Sequence, residues 1–176
     1  MHPRIAELLA YVDRETEKLR DLYHSVPPDR RNVRTDPVRW SPAEIVMHLA
    51  IVDQRITQRL AALIEEARGL PPEPEVSPLL PNPLITRALD RTSRFKTGPA
   101  SEPIDVDPAG VWDELMTQRR ALVEVVARGD GLALGRVSAP HPALGSLTGY
   151  EWIAFVGAHA ARHAEQMREE LGSDPI

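Results

Sequence analysis

The 176-residue chain contains no cysteine. Disulfides, thiolate zinc ribbons and thiol nucleophiles are therefore excluded. Lysine is nearly missing as well: only Lys18 and Lys96 stand among 21 basic residues, which speaks of a GC-rich coding genome and not of function. Against those 21 are 26 acidic residues, for a net charge of −5, and no stretch forms a basic stripe. Nucleic-acid binding is not expected of such a surface. No apolar run approaches the ~20 residues of a membrane span. Met1-His2-Pro3-Arg4 leads into an amphipathic segment carrying Glu7 and Asp13, where a secretory signal would be uninterruptedly apolar. A cytoplasmic protein is expected. There is no internal repeat, and no segment alternates as a strand.

What remains is helical periodicity on a chain of one-domain length, so residues 1–176 read as a single domain. Four long segments carry it. The first runs from about Pro3 to His24, with Ile5, Leu8, Leu9, Val12, Leu19 and Leu22 on one face and Pro27-Pro28 beyond. The second opens on Ser41-Pro42-Ala43-Glu44, a capping box with proline at the first helical position, and closes at Gly69-Leu70-Pro71. The third opens at Asp107-Pro108 and ends at Gly129. The fourth begins with a second capping box, Thr148-Gly149-Tyr150-Glu151, and stops at Gly172. Between the second and third lies a proline-rich stretch from about Leu70 to Asp107, with a short helix expected from Asn82-Pro83 to about Phe95. A connection this long needs a reason. If the second and third helices run parallel, the chain must return along the bundle, as in bundles with one long crossover.

Histidine supplies the chemistry. His159 and His163 stand at i and i+4 and share a helix face, and His48 lies on the second segment. If the three converge, they cap one metal ion and leave coordination positions open. The competing reading is three helix-edge histidines facing water, since the spacing alone is a weak signal. Imidazole suits zinc or nickel, ahead of iron or manganese. Each ligand needs an acceptor on its second nitrogen. Gln166 and Glu44 stand on suitable faces for His163 and His48, although Glu44 has the competing role of cap. His141 either borders the site or serves its own turn. Trp112, Trp152 and Phe155 read as core before substrate wall, and Trp40 as a staple packing back on the second helix. Arg55 and Arg162 are candidates for a carboxylate of the substrate, or solvated surface arginines. Ser146 lacks any Ser-His-Asp context. Met47 and Ile51, off the main stripe of their helix, would be covered by the crossover or by a second copy.

Three stretches together carry a resemblance. They are Trp40-Ser41-Pro42-Ala43-Glu44-Ile45-Val46-Met47-His48-Leu49, His141-Pro142-Ala143-Leu144-Gly145-Ser146-Leu147-Thr148, and Glu151-Trp152-Ile153-Ala154-Phe155 continuing to His159-Ala160-Ala161-Arg162-His163-Ala164-Glu165-Gln166. In these the chain resembles the DinB-like (DinB/YfiT) superfamily of metalloenzymes over nearly its whole length. The resemblance implies an all-α fold, a four-helix bundle with a long crossover between helices 2 and 3. It also implies a metal triad of His48, His159 and His163, and frequent dimers, so a homodimer is expected. Family members with assigned activity resemble transferases that use small thiols, with isomerases alongside; others resemble metal-dependent hydrolases acting through bound hydroxide. A non-catalytic, stress-associated metal-binding protein is the third reading. Having no cysteine, the chain would take its sulfur from a diffusible low-molecular-weight thiol.

Overall fold

The computed structural model describes residues 1–72, 79–80, 82–90, 92 and 98–172. Four long helices follow the expected segments: α1 (Pro3–Ser25), α2 (Pro42–Ala67), α4 (Val111–Arg128) and α5 (Gly149–Gly172). A short α3 (Pro83–Leu89) lies within the crossover, and a hairpin of β1 (Ser138–His141) and β2 (Gly145–Thr148) precedes α5.

Local chemistry sets most of the helix starts. At α2, Ser41 Oγ accepts the Glu44 amide at 3.3 Å while the Glu44 carboxylate takes the Ser41 amide at 2.7 Å, a closed capping box contributing about 1 kcal/mol. Thr148 and Glu151 repeat this at α5, at 3.3 and 2.8 Å. His2 Nδ1 accepts the Arg4 amide ahead of Pro3 in α1. α4 departs from expectation. It opens at Val111 and not at Asp107, because the Asp107 carboxylate captures the Ala109 amide at 3.0 Å and holds a separate turn there. α3 stops at Leu89, where Asp90 becomes extended; Phe95 lies outside the described residues.

Cross-helix contacts fix the directions. Asp53 meets Arg119 midway along α2 and α4, and Ile64 touches Gly129 near their ends, so these helices run parallel. α1 and α5 are parallel too: Arg4 lies over the Tyr150 ring and Tyr11 abuts Gly157. α5 opposes α2, since His48 meets His163 while Arg59 lies over Trp152. Up, down, down, up is the order, and it requires the crossover of residues 68–110. The middle of the crossover is tied to the bundle. Glu7 on α1 accepts the Leu79 and Leu80 amides at 2.9 and 3.1 Å, and Leu84 and Ala88 bury themselves against the bundle.

The hairpin is a correction to the expectation of helices alone. Its strands have four residues each, too few for alternation to show, and only Leu147 of β2 is buried. A three-residue loop closes it into Gly145 at φ +86°, a left-handed conformation open to glycine.

The core is in two parts. One apolar cluster gathers Ile5, Leu8, Ile56, Leu60, Leu122, Ile153 and Val156; the other gathers Leu19, Tyr23, Ile45, Leu49, Leu115, Ala160 and Met167. Along α2 and α5 the changeover falls between Ala50 and Ile56 and at His159. Buried polar groups occupy this belt: His48, Asp53, Arg119 and His159. Polar atoms so placed require partners.

Candidate metal centre

α2 and α5, antiparallel neighbours, deliver the three imidazoles to one point. His159 Nε2 lies 3.3 Å from His48 Nε2 and 3.0 Å from His163 Nε2. All three residues are at least nine-tenths buried. Helix-edge position therefore does not mean exposure here, because the crossover and the segment before α2 close over the rings. His163 follows His159 by one turn on the same face of α5.

The outer nitrogens set the tautomers. His48 Nδ1 donates to the Ser101 carbonyl at 2.8 Å, and His163 Nδ1 donates to Gln166 Oε1 at 2.9 Å. With those protons on Nδ1, both rings direct Nε2 lone pairs at His159 Nε2. One N–H on His159 could satisfy only one of them; a cation would satisfy all three lone pairs. Nitrogens held 2.0–2.1 Å from a common ion stand roughly 2.9–3.4 Å apart, depending on the angle between them. The observed separations fall in that range. The three histidines can thus hold a metal ion, with one donor atom each.

Electrostatics agree. Burial pushes His159 well below its ordinary value, helped by the neighbouring His163 and His48 and by the charge of Arg119. Burial also lowers His48, partly opposed by its bond to Ser101. Both rings stay neutral near pH 7, the form that binds metal. His159 differs from its partners in one respect: its Nδ1 is buried with no hydrogen-bond partner among the described residues.

The centre sits in the wall of a cavity of about 870 Å³ that is open to solvent. This is ample for a small-molecule ligand. Trp40, Trp152, Phe155, His141, Arg55 and the Pro99–Ser101 turn line it alongside the histidines. Phe155 stacks on His159 with centroids 5.1 Å apart, and Trp40 lies 4.7 Å from His48.

Several expectations change on this geometry. Glu44 does not hold His48: its carboxylate is engaged by the Ser41 amide and by Arg34, whose pairing holds it below the usual carboxylate range although burial opposes this. The acceptor for His48 is Ser101, 53 residues away, which no local pattern announces. Trp40, expected to pack back on α2, does so with its ring on His48. Trp152 and Phe155 are both core and cavity wall. His141 likewise serves its turn, accepting the Ala143 and Leu144 amides at 3.1 Å each, while its ring lines the cavity. Arg162 is directed to the crossover, donating to the carbonyls of Ala88 and Asp90. Arg59 also lines the cavity, and its i+4 spacing from Arg55 was a signal available in the sequence.

Comparison with known proteins places this geometry in context. Residues 3–167 match the DinB superfamily. An uncharacterized protein, YuaE of Bacillus subtilis strain 168, is 29% identical over 143 residues, covering 80% of this chain and 83% of its own. TT2238, a four-helix bundle protein known from a crystal structure, superposes with a TM-score of 0.64 at 19% identity, over 94% of this chain and 98% of its own. The second likeness speaks to the fold.

Proposed function

The chain belongs to the DinB superfamily, and from that footing we propose that it is a divalent-metal-dependent enzyme, a transferase that activates a small-molecule thiol for attack on an electrophilic substrate. The convergence of three Nε2 atoms, that of His159 lying 3.3 and 3.0 Å from those of His48 and His163, at the wall of an open cavity carries this reading. Zinc or nickel suits the all-imidazole donor set. When bound, such an ion supplies Lewis acidity that lowers the pKa of a thiol or water reaching its open side.

The chain's own residues do the rest. Ser101 and Gln166 orient two of the imidazoles. Trp40, Trp152 and Phe155 present apolar walls to the reacting groups. Sulfur has to enter with a cosubstrate, since the chain has no cysteine. Of the two carboxylates that line the cavity among the described residues, Glu170 is buried, pairs with Arg39 and accepts from Thr35, while Glu169 is exposed. Commitment of the buried one weighs for transfer over hydrolysis.

Two measurements test the reading. Purified protein is expected to carry close to one equivalent of a transition metal by elemental analysis, and His159→Ala to lose it; undiminished metal in that variant removes the triad. With monochlorobimane as electrophile and a panel of small thiols, metal-dependent acceleration is expected. If no thiol shows it, the transferase reading fails.

A further inference from the structure

The cavity beside the histidines is lined by four arginines, in a chain whose net charge is −5. Two of them are already committed. Arg39 pairs with buried Glu170 at 3.3 Å, and Arg162 donates to the carbonyls of Ala88 and Asp90. Arg55 and Arg59 are different. They stand one turn apart on α2, on one face. Among the described residues neither has a carboxylate partner. Arg55 donates to Ser101 Oγ at 2.9 Å; Arg59 donates to the Pro140 carbonyl at 3.3 Å and lies 5.0 Å over the Trp152 ring. Each of these contacts is to a neutral group. They steer the side chains along the cavity while neither guanidinium is ion-paired among the described residues, and each keeps further N–H groups to offer.

A third donor is built into the same wall. His141 Nδ1 accepts two backbone amides, which places the ring proton on Nε2. No hydrogen bond from Nε2 occurs among the described residues. The ring packs at 5.4 Å on Trp152, over which Arg59 also lies. Burial and the Arg59 charge both hold His141 below its ordinary value, so it is a neutral donor near pH 7. Two guanidiniums with no carboxylate partner among the described residues and a tautomer-locked N–H therefore gather on Trp152 and the Ser101 turn, in the cavity that holds the three imidazoles.

We infer that Arg55 and Arg59, with His141 beside them, form a carboxylate-binding subsite, and that the substrate or thiol cosubstrate of this enzyme carries a carboxylate. Arginine forks match the planar, two-oxygen geometry of that group and bind it bidentately. The inference deepens the proposed function and rests on the cavity being the place of reaction. The subsite holds the anionic end of the ligand while its other end reaches the histidine centre.

Succinate, with uncharged succinamide as its control, separates this from the metal reading. Isothermal titration calorimetry on zinc-loaded protein is expected to show succinate binding at least about tenfold tighter than succinamide. Arg55→Gln and Arg59→Gln are each expected to weaken succinate by about tenfold while zinc content and helicity stay at wild-type values. Both arginines are exposed, so these variants fold. The preference and its arginine dependence persist after zinc is stripped by a chelator. No succinate binding, equal affinity for succinamide, or indifference to both substitutions overturns the proposal. So does a preference that vanishes with zinc alone, which places the carboxylate on the ion. Zinc retained in His159→Ala would instead overturn the triad, whatever succinate does.

Discussion

Removing either member of the Asp53–Arg119 pair should destabilise the bundle severely, and removing both should not. The two side chains meet at 2.9 Å between α2 and α4, Asp53 fully enclosed and Arg119 5% exposed. Neither forms a well-aligned hydrogen bond. The pair therefore gains Coulomb energy but does not satisfy its polar atoms, and loss of hydration outweighs the attraction. Burial accordingly raises Asp53 from 3.8 to about 6 despite the opposing Arg119 charge. A carboxyl whose folded value lies above its unfolded one favours folding while protonated. Its contribution is present below about pH 4 and is lost as pH rises through about 6, a difference of about 3 kcal/mol. Asp53→Leu strands a guanidinium that cannot lose its proton, and should cost about 3–5 kcal/mol near pH 7 and about 1 kcal/mol more near pH 5, where protonated Asp53 adds stability that the variant lacks. That corresponds to a fall in Tm of about 10 °C for a chain of this size. Arg119→Met strands a group that can take up a proton. It should cost about 3 kcal/mol near pH 7 and distinctly less near pH 5. The double variant, apolar on both sides, should return to within about 1 kcal/mol of wild type. Urea denaturation of all four proteins, metal-free and at both pH values, measures the cycle. Single costs under about 1 kcal/mol, or singles that sum to the double within about 0.5 kcal/mol, would refute the account.

Other expectations follow from the same contacts. Gln166→Leu removes the acceptor for His163 Nδ1 at 2.9 Å and should weaken zinc about 10- to 100-fold in a chelator competition, with one equivalent still bound at saturation. An unchanged affinity would show that the bond does not orient the ligand. Gly157→Ala places a Cβ 2.6 Å from the Tyr11 ring, between α1 and α5. It should cost about 1–3 kcal/mol in thermal or urea unfolding and leave metal stoichiometry untouched. A neutral effect would mean that the helices part freely there.

How far the sequence could be read depended on the range of each interaction. Ser41 with Glu44, and Thr148 with Glu151, are pairs three residues apart, and both boxes formed where they stand in the sequence. The i, i+4 spacing of His159 and His163 put both rings on one face by helix geometry alone. The proline-rich connection signalled a crossover because a chain joining parallel helices has to traverse the bundle. Asp107 misled because its side chain captured an amide two residues on, a local alternative to helix that residue type alone does not resolve. The hairpin escaped because four-residue strands carry too little pattern.

By itself, then, the amino-acid sequence determined the helices, the shared face of His159 and His163, and the lack of any thiol of its own. Only the tertiary structure decided that His48 meets them, that Ser101 from the crossover holds His48, and that Trp40 and Phe155 wall the centre. It alone decided that Asp53 and Arg119 share the buried belt, and that Arg55 and Arg59 have no carboxylate partner among the described residues. The reason is physical. Caps and faces follow from bonds spanning a single turn, whereas convergence of groups 50 to 110 residues apart depends on how whole helices pack, and packing is the sum of many weak contacts spread along the entire chain.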